Sequence, residues 1–225
     1  MAAGLGARLR PHTNDTPKPL LRVAGRPILE WNIEKLPAQI EEVLLVVGYL
    51  QDQIRAHFGA HWQGRKISYV EQKELKGTGH AVQQCQPLLD EKFLVLNGDD
   101  LYAAADIAAA LERDRAVLVK ESDVSGRFGA LRTDAAGRLV AIEENAATDP
   151  EALVNAGLYV LDRRFFDYPL VPIKGGAEFG LPQTLVLVAQ DHPVDVVRAS
   201  FWLPIGYPED LAKATEILMA SFRAS

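Results

Sequence analysis

The chain has 225 residues, of which 48% are hydrophobic and 24% charged, and its formal net charge is −6. These values exclude a disordered polyelectrolyte and a strongly basic nucleic-acid-binding domain, and they are typical of a globular domain with or without a small second lobe. Cys85 is the single cysteine, so an intrachain disulfide is excluded and we expect a reducing, cytoplasmic location. No apolar run approaches the roughly 20 residues that span a bilayer, so we expect no membrane partner.

The first 26 residues form a glycine-rich, basic segment. They contain five Lys or Arg residues against one acidic residue, a local charge of +4 on an acidic chain. Gly4 and Gly6 have no Cβ, so the backbone can turn tightly and bring its N–H groups close to an anion, while Arg8, Arg10 and Lys18 add positive charge. A basic loop on an acidic protein favours a small anionic ligand over a nucleic acid.

Helical and strand patterns alternate after this loop. Pro27 fits the first turn of a helix that Pro37 ends. The elements that follow are a buried strand over 43–47, a helix through Ile54 and Phe58, a strand over 67–70, a helix over 78–86 and a buried strand over 93–96. The alternation predicts an α/β fold with a doubly wound, mostly parallel sheet and helices on both faces.

The second half of the chain has short strands joined by tight polar turns. The predicted strands cover 116–120, 128–132, 139–143 and 158–161, and the predicted helices cover 181–190 and 208–222. This pattern predicts a small mixed or antiparallel extension around a second ligand pocket. We therefore expect one domain over 1–225, with two halves at 1–112 and 113–225.

Two further motifs lie at the ends of predicted strands. VEQ at residues 70–72 is followed by GTGHA at residues 77–81, and the amide of Gln72 can donate and accept hydrogen bonds, as the edge of a pyrimidine base requires. LNGDD at residues 96–100 follows a buried strand. A carboxylate such as Asp99 at the carboxyl end of a central strand faces the ligand crevice and is suited to Mg²⁺ beside a triphosphate.

These blocks resemble the sugar-1-phosphate nucleotidylyltransferases. GLGARLRP (residues 4–11), TPKPL (16–20) and GRPIL (25–29) occur in order and close to the family spacing, and GTGHA after Gln72 resembles the uridine-binding segment of the N-acetylglucosamine-1-phosphate uridylyltransferases. The resemblance implies a Rossmann-like fold of the GT-A type, with a nucleotide-binding half at 1–112 and a sugar-binding half at 113–225. It also implies Mg²⁺-dependent transfer of a nucleotidyl group from UTP or dTTP to a hexose 1-phosphate of the glucose or N-acetylglucosamine type.

The resemblance also assigns residues to roles. Catalysis is expected from Arg8, Lys18 and Asp99, with Asp99 as the metal ligand. The residues expected to bind the nucleotide are Ala2, Ala3, Gly4, Gly6, Arg8, Gln72, Gly77 and Thr78. The residues expected to bind the sugar are Gly129, Glu144, Asn155 and Gly157, with Glu143 in place of Glu144 if the turn aligns differently.

Two positions depart from the family pattern. The lysine that follows the family's sugar-site glutamate is replaced by Asn145 or Glu144, and Pro204 in FWLPIGYP (201–208) stands where many members have a second metal-binding aspartate. Both departures would suit a non-catalytic paralogue that binds a nucleotide-sugar. A GT-A-type glycosyltransferase is the other alternative, but it would not need a basic triphosphate loop.

The two ends of the chain also carry expectations. Relatives place several apolar residues before the segment that begins at Ala2, so we expect Met1 to lie inside the first strand and that strand to be truncated. Relatives often carry a C-terminal β-helix domain for acyl transfer, and we expect none after Ser225.

Overall fold

A computed structural model gives the fold of residues 1–121, 128–143, 152–173 and 175–223. The α-helices are α1 (Ile28–Lys35), α2 (Gln51–Phe58), α3 (Gly77–Gln84), α4 (Ala104–Leu111), α5 (Leu181–Asp191) and α6 (Pro208–Arg223). The strands are β1 (Arg22–Val23), β2 (Arg26–Pro27), β3 (Glu42–Val47), β4 (His61–Trp62), β5 (Arg65–Glu71), β6 (Lys92–Leu96), β7 (Asp100–Tyr102), β8 (Ala116–Glu121), β9 (Ala130–Thr133), β10 (Leu139–Glu143), β11 (Leu153–Asp162), β12 (Val171–Pro172), β13 (Phe179–Gly180), β14 (Asp195–Arg198) and β15 (Trp202–Pro204).

The chain forms two compact units. Unit 1 consists of Met1–Lys73, Asn97–Ala104 and Phe201–Ser225, and unit 2 consists of Glu74–Leu96 and Ala105–Ser200. The predicted halves 1–112 and 113–225 divide the chain by ligand, and that assignment stays a prediction. The compact units divide it differently because β7 and β15 pair with each other and so bring two distant segments into unit 1.

Unit 1 is built on a small sheet. Strands β3 and β5 pair in parallel, and β4 pairs antiparallel with β5. The continuous apolar run of β3 is buried because one core cluster covers it with the apolar side chains of α1 and α2. The buried members of this cluster are Ala2, Leu29, Ile33, Leu45, Val47, Ile54, Phe58 and Ile67.

A second core cluster of unit 1 joins the N-terminal loop to the two short ribbons and the last helix. Strand β15 pairs antiparallel with β7, and β1 pairs antiparallel with β2. The buried members of the cluster are Leu9, Leu21, Val23, Ile28, Trp31, Leu101, Leu203, Ile205 and Ala214. Burial of these side chains fixes the ends of the N-terminal loop and of β7.

Unit 2 contains a six-stranded mixed sheet in which β10, β9, β11, β8 and β14 lie in that order and β6 also pairs with β11. The α/β class is confirmed, but β11 runs antiparallel to β6, β8 and β9, so antiparallel pairing is more extensive than a mostly parallel sheet implies. The reason is that the connections between β8, β9, β10 and β11 are each shorter than the dozen or so residues that a crossover between parallel strands requires. The pair β8 and β14 is parallel.

The predicted elements lie close to the observed ones, with four main differences besides the strands of two or three residues, which the sequence did not predict. Helix α4 and strand β14 were not predicted, and β11 begins five residues before the predicted strand at 158–161. Strand β9 begins at Ala130, two residues after the predicted start. Among the helices of the described ranges, none combines the length and apolarity that spanning a bilayer requires.

Candidate active site

The glycine-rich loop closes on itself around Gly6. Gly6 has a φ of +62°, and an added Cβ would lie 2.9 Å from Thr13 Cγ2 and 3.2 Å from Lys18 Cβ. The Thr13 hydroxyl donates to Gly6 O (2.9 Å), and Leu9 N donates to the same carbonyl oxygen (2.9 Å). Gly6 is therefore required both for its backbone angle and for the close approach of Thr13 and Lys18.

The start of the chain is held on both sides by backbone hydrogen bonds. Ala2 N donates to Val46 O (2.8 Å), and Gly98 N donates to Met1 O (2.8 Å). Ala2 also forms an isolated parallel bridge with Val47. Ala2 and Ala3 are buried, so their role in nucleotide binding, which stays a prediction, is expected to come from their backbone.

The rest of the loop is held by β3 and the residues after it. Tyr49 N donates to Ala3 O (3.2 Å), while the Tyr49 hydroxyl donates to the carbonyl oxygens of Thr13 (3.1 Å) and Asn14 (2.8 Å). Gly4 is exposed, and an added Cβ there would have no atom within 4 Å. Space on the open side of the loop is compatible with a phosphate ligand.

Lys18 and Asp99 form an ion pair in unit 1. The two residues are 81 positions apart in sequence, and their side chains are 12% and 33% exposed. Lys18 lies at the start of a 3-10 turn, Lys18–Leu20, whose Pro19 is buried, and Asp99 directly precedes β7. The fold thus brings together a predicted catalytic cation, the predicted metal ligand and the glycine loop.

The turn that carries Asp99 is shaped by its neighbours. Gly98 packs so closely on the chain start that an added Cβ would lie 2.7 Å from Met1 O. The amide Nδ2 of Asn32, a buried residue of α1, donates to Asp100 O (2.7 Å) and to Asn97 O (3.5 Å). The carbonyl groups on either side of Gly98 and Asp99 are therefore held by one side chain.

Asp100 is buried and does not present its carboxylate to solvent. Its Oδ2 accepts from Asn97 Nδ2 (3.3 Å), Trp202 Nε1 (3.4 Å) and the Tyr102 hydroxyl (3.5 Å). Burial, followed by the negative charge of Asp99, raises the pKa of Asp100 above its usual range. The two adjacent carboxylates thus have different environments, and the partly exposed one, Asp99, is suited to a ligand.

The donor set at Asp99 fits Mg²⁺ only with help from substrate. No group of three or more His, Cys, Asp or Glu side chains that could hold a metal occurs in the parts of the chain that the structure describes. Lys18 contacts Asp99 Oδ2, and Oδ1 has no hydrogen-bond partner among the described residues. Mg²⁺ commonly uses one or two carboxylates together with substrate phosphates and water, so a single available carboxylate is compatible with it.

Pro204 lies opposite Asp100 in the ladder between β15 and β7. The segment expected to supply a second metal-binding aspartate therefore does lie beside the Asp99 turn. Proline has no side-chain oxygen, so this position cannot ligate a metal.

Gln72 is 5% exposed, and its backbone N–H donates to Val47 O (2.8 Å) in unit 1. Gly77 and Thr78 begin α3 in unit 2, where Gly77 has a φ of +87°. An added Cβ at Gly77 would lie 2.5 Å from Phe179 O, and the Thr78 hydroxyl accepts a hydrogen bond from Leu181 N (3.0 Å). Both residues thus have structural roles in unit 2, and base recognition by them stays a prediction.

Gly129, Asn155 and Gly157, which are predicted to bind the sugar, lie on or beside β11 in unit 2, while the alternative residue Glu143 ends β10 and forms an ion pair with Arg132. Gly129 O accepts from Asn155 N (3.0 Å), Asn155 Oδ1 accepts from Gly157 N (3.0 Å), and Asn155 Nδ2 donates to the Tyr159 hydroxyl (2.7 Å). The β11–β8 register shifts between Asn155 and Tyr159, and Gly157 has a φ of +72° inside this bulge. Bulges often re-aim side chains beside active sites, and the sugar-binding role of Asn155 stays a prediction. Glu144 and Asn145 lie outside the described residues.

Some residues with roles at the site were not among the predicted ones. Asn32, Tyr49 and Trp202 hold the loop or the Asp99 turn through hydrogen bonds. A polar residue inside the apolar stripe of a helix was the available signal for Asn32, because buried amides are almost always hydrogen-bonded. Nothing in the local sequence distinguishes Tyr49 from a solvent-exposed loop residue.

Residues 1–221 match the sequence model of the family described as nucleotidyl transferase. The chain belongs to the nucleotidyl transferase family. The family resemblance of the sequence blocks is therefore confirmed over almost the whole length of this nucleotidyl transferase.

Sequence similarity to three proteins supports the same family. The bifunctional protein GlmU of Methanocaldococcus jannaschii is 32% identical over 221 residues, which is 97% of this chain and 53% of that protein. The UTP–glucose-1-phosphate uridylyltransferase AglF of Haloferax volcanii is 33% identical over 229 residues, which is 97% of this chain and 94% of that protein. A mannose-1-phosphate guanylyltransferase of Mycobacterium tuberculosis is 32% identical over 239 residues, covering this whole chain and 65% of that protein. The chain spans about half the length of the GlmU relative.

Solved structures share the fold. A UDP-glucose pyrophosphorylase complexed with UDP-glucose superposes with a TM-score of 0.83 at 20% identity and covers 98% of this chain and 97% of its own. HddC from Yersinia pseudotuberculosis superposes with a TM-score of 0.74 at 25% identity and covers 96% of each chain. The fold class predicted from the sequence is confirmed by these neighbours.

Proposed function

We propose that this nucleotidyl transferase uses Mg²⁺ and transfers a nucleotidyl group from UTP or dTTP to a hexose 1-phosphate of the glucose or N-acetylglucosamine type. An oxygen of the sugar 1-phosphate attacks the α-phosphorus, a new P–O bond forms, and the bond to the bridging oxygen of the departing pyrophosphate breaks. The single observation that carries the proposal is the contiguity of Gly6, Lys18 and Asp99 in unit 1.

The proposed roles follow from charge and position. Arg8 and the backbone of the loop that includes Ala2, Ala3, Gly4 and Gly6 hold the β- and γ-phosphates. Lys18 contacts the sugar phosphate and the α-phosphate, and Asp99 holds the metal. When bound, Mg²⁺ supplies positive charge that neutralises the triphosphate and the leaving pyrophosphate. Such transfers depend mainly on positioning and charge stabilisation, so no protein nucleophile is needed.

We propose that one set of residues selects the base and another set selects the sugar. Gln72, Gly77 and Thr78 recognise a pyrimidine, and we expect UTP or dTTP to be preferred over GTP and ATP by at least about tenfold, which is ~1.4 kcal/mol. Gly129, Glu144, Asn155 and Gly157 bind the hexose. The name of the Haloferax volcanii relative, of which this chain covers 94%, supports UTP and glucose 1-phosphate as the first pair to test.

The test is a matrix of substrates. The 1-phosphates of glucose, N-acetylglucosamine and mannose are each incubated with UTP, dTTP, GTP and ATP in the presence of Mg²⁺, and pyrophosphate release is measured with and without a chelator. We expect chelator-sensitive release with a pyrimidine nucleotide and none from the Asp99→Asn variant. Preference for GTP would keep the reaction class and overturn the role of Gln72.

Pro204 supports one second candidate, a non-catalytic paralogue that binds a nucleotide-sugar. Such a protein would show binding of UDP-sugars in calorimetry and would release no pyrophosphate with any combination of sugar 1-phosphate and nucleotide. A glycosyltransferase would instead release a nucleoside diphosphate from a nucleotide-sugar, which the matrix does not contain, so a separate sample with a UDP-sugar and a sugar acceptor is assayed for UDP.

A further inference from the structure

Arg8, an exposed cation of the glycine-rich loop, is in contact with an aromatic ring. Its guanidinium carbon lies 5.2 Å from the centroid of the Tyr207 ring, within the range of a cation–π interaction. The backbone at Arg8 is fixed by the buried Leu9 and by the hydrogen bond from Leu9 N to Gly6 O. The side chain itself is long and exposed, so the Tyr207 ring is a specific restraint on where its charge lies.

Tyr207 is itself held in place by the start of α6. The backbone N–H groups of Gly206 and Tyr207 both donate to Asp210 Oδ2 (2.8 Å each), and Asp210 N donates to Tyr207 O (3.0 Å). Ile205, two residues earlier, is fully buried in a core cluster. A ring whose backbone is fixed in this way can hold a flexible cation.

We propose that Tyr207 is a positioning residue that orients Arg8 toward the triphosphate before the nucleotide binds. The inference rests on the proposed function, because it assigns Tyr207 to the support of Arg8 in the glycine-rich loop that is proposed to bind the triphosphate. An exposed arginine loses rotamer freedom when it binds a ligand, and a side chain that is already ordered loses less. Because Arg8 is proposed to contact the β- and γ-phosphates before and during reaction, the effect falls on KM for the nucleotide rather than on kcat.

The first experiment compares two substitutions at one position. Tyr207→Leu removes the ring, and we expect it to raise KM for the nucleotide about two- to fivefold with kcat little changed. Tyr207→Phe keeps the ring and should restore the wild-type KM. The matched control is Tyr69→Leu, which removes a ring that lies 4.7 Å under the guanidinium of Arg55, outside the proposed site, and should leave KM unchanged.

A double-mutant cycle separates positioning from a general structural effect. In an Arg8→Ala background the cation is already gone, so Tyr207→Leu should change KM by less than about 1.5-fold. If Tyr207→Leu raises KM equally in both backgrounds, or if Tyr207→Phe is as impaired as Tyr207→Leu, the positioning role is overturned while the proposed function stands.

A binding measurement distinguishes failure of this inference from failure of the proposed function. Inorganic tripolyphosphate has no base or sugar, so its calorimetric affinity depends on the loop without requiring turnover. We expect Tyr207→Leu to weaken its binding about two- to fivefold in wild type and not in Arg8→Ala. If no substrate pair is turned over but this coupling is seen, the inference holds and the proposed activity fails; if the coupling is absent, the inference fails.

Discussion

At the scale of single residues, Lys18 and Asp99 are the pair on which the proposed chemistry depends. Lys18→Ala should lower kcat about 10²- to 10³-fold, because a donor aimed at developing charge contributes several kcal/mol to the barrier. The free energy of unfolding should fall by at most about 1 kcal/mol, since a partly exposed ion pair contributes little to stability. Pyrophosphate release and urea denaturation measure the two quantities.

The control for this substitution is Lys35→Ala, which removes an exposed lysine from the last turn of α1. It should change neither turnover nor stability by a measurable amount. A folded Lys18→Ala protein with the wild-type rate would contradict the role of Lys18.

Asn32 gives a second residue-scale prediction. It is 1% exposed and donates to Asp100 O, so Asn32→Ala leaves a buried carbonyl group without this donor and should cost about 1–3 kcal/mol of stability. Turnover should also fall, since the Asp99 turn loses its support. Gln83→Ala, at an exposed position of α3, is the control and should stay within about 0.5 kcal/mol of wild type. Full stability of Asn32→Ala would show that the hydrogen bond contributes nothing.

The residues of the candidate site were only partly predictable from sequence. A basic lysine in a glycine-rich loop and a carboxylate at a strand end each had a chemical signal, but their pairing across 81 positions arises from the fold. The difference between Asp99 and Asp100 also required the structure, because burial by Trp202 and Tyr102 distinguishes two carboxylates that are equivalent in sequence.

At the scale of elements, the close packing of the start of α3 against β13 predicts a loss of stability when Gly77 is replaced. Gly77 has a φ of +87°, and an added Cβ would lie 2.5 Å from Phe179 O, so Gly77→Ala combines backbone strain with a steric clash. Gly64 has a φ of +80° with open space around it, so Gly64→Ala reports the strain alone. We expect about 1 kcal/mol of destabilisation for Gly64→Ala and about 2–4 kcal/mol for Gly77→Ala.

Urea denaturation of both variants measures this difference. Equal destabilisation would mean that β13 moves away from α3 at no cost. In that case packing against β13 would not explain the glycine at position 77, and this result would favour the proposed role of Gly77 in base recognition.

Elements with a strong local pattern were the predictable ones. The continuous apolar run of β3 is typical of a buried strand, and the apolar residues of α1 recur with the period of a helix. Both elements could therefore be predicted from sequence. Helix α4 has the sequence AADIAAAL. It has few large apolar side chains, so no apolar face was visible in the sequence and the helix was not predicted. Strand β14 is short and depends on its parallel partner β8, which is remote in sequence.

At the scale of the whole molecule, the division into units is not a division of the sequence. Unit 1 is assembled from three separate segments, and the chain passes between the units at residues 73–74, 96–97, 104–105 and 200–201. Residues 97–104, which carry Asp99, therefore belong to unit 1 although they follow β6 of unit 2 directly. Such a division depends on long-range strand pairing, which local sequence patterns do not encode.

The interleaving of the units leads to a prediction about unfolding. Neither unit can complete its core from one continuous segment, so we expect the two to unfold in a single cooperative transition. Trp31, Trp62 and Trp202 all belong to unit 1, and the single cysteine, Cys85, belongs to unit 2. Tryptophan fluorescence and thiol reactivity therefore report the two units separately without any substitution.

The thiol of Cys85 is expected to react slowly in the folded protein. Cys85 is 4% exposed, its Sγ donates to Ala81 O (3.4 Å), and burial raises its pKa to about 11. Thiolate is the reactive form, so the higher pKa alone lowers reactivity near pH 8 by about 100-fold relative to the unfolded chain. We expect the urea midpoints from fluorescence and from brief pulses of thiol labelling to coincide. Labelling that rises at a lower urea concentration than the fluorescence change would mean that unit 2 opens while unit 1 remains folded, and the single cooperative transition would be wrong.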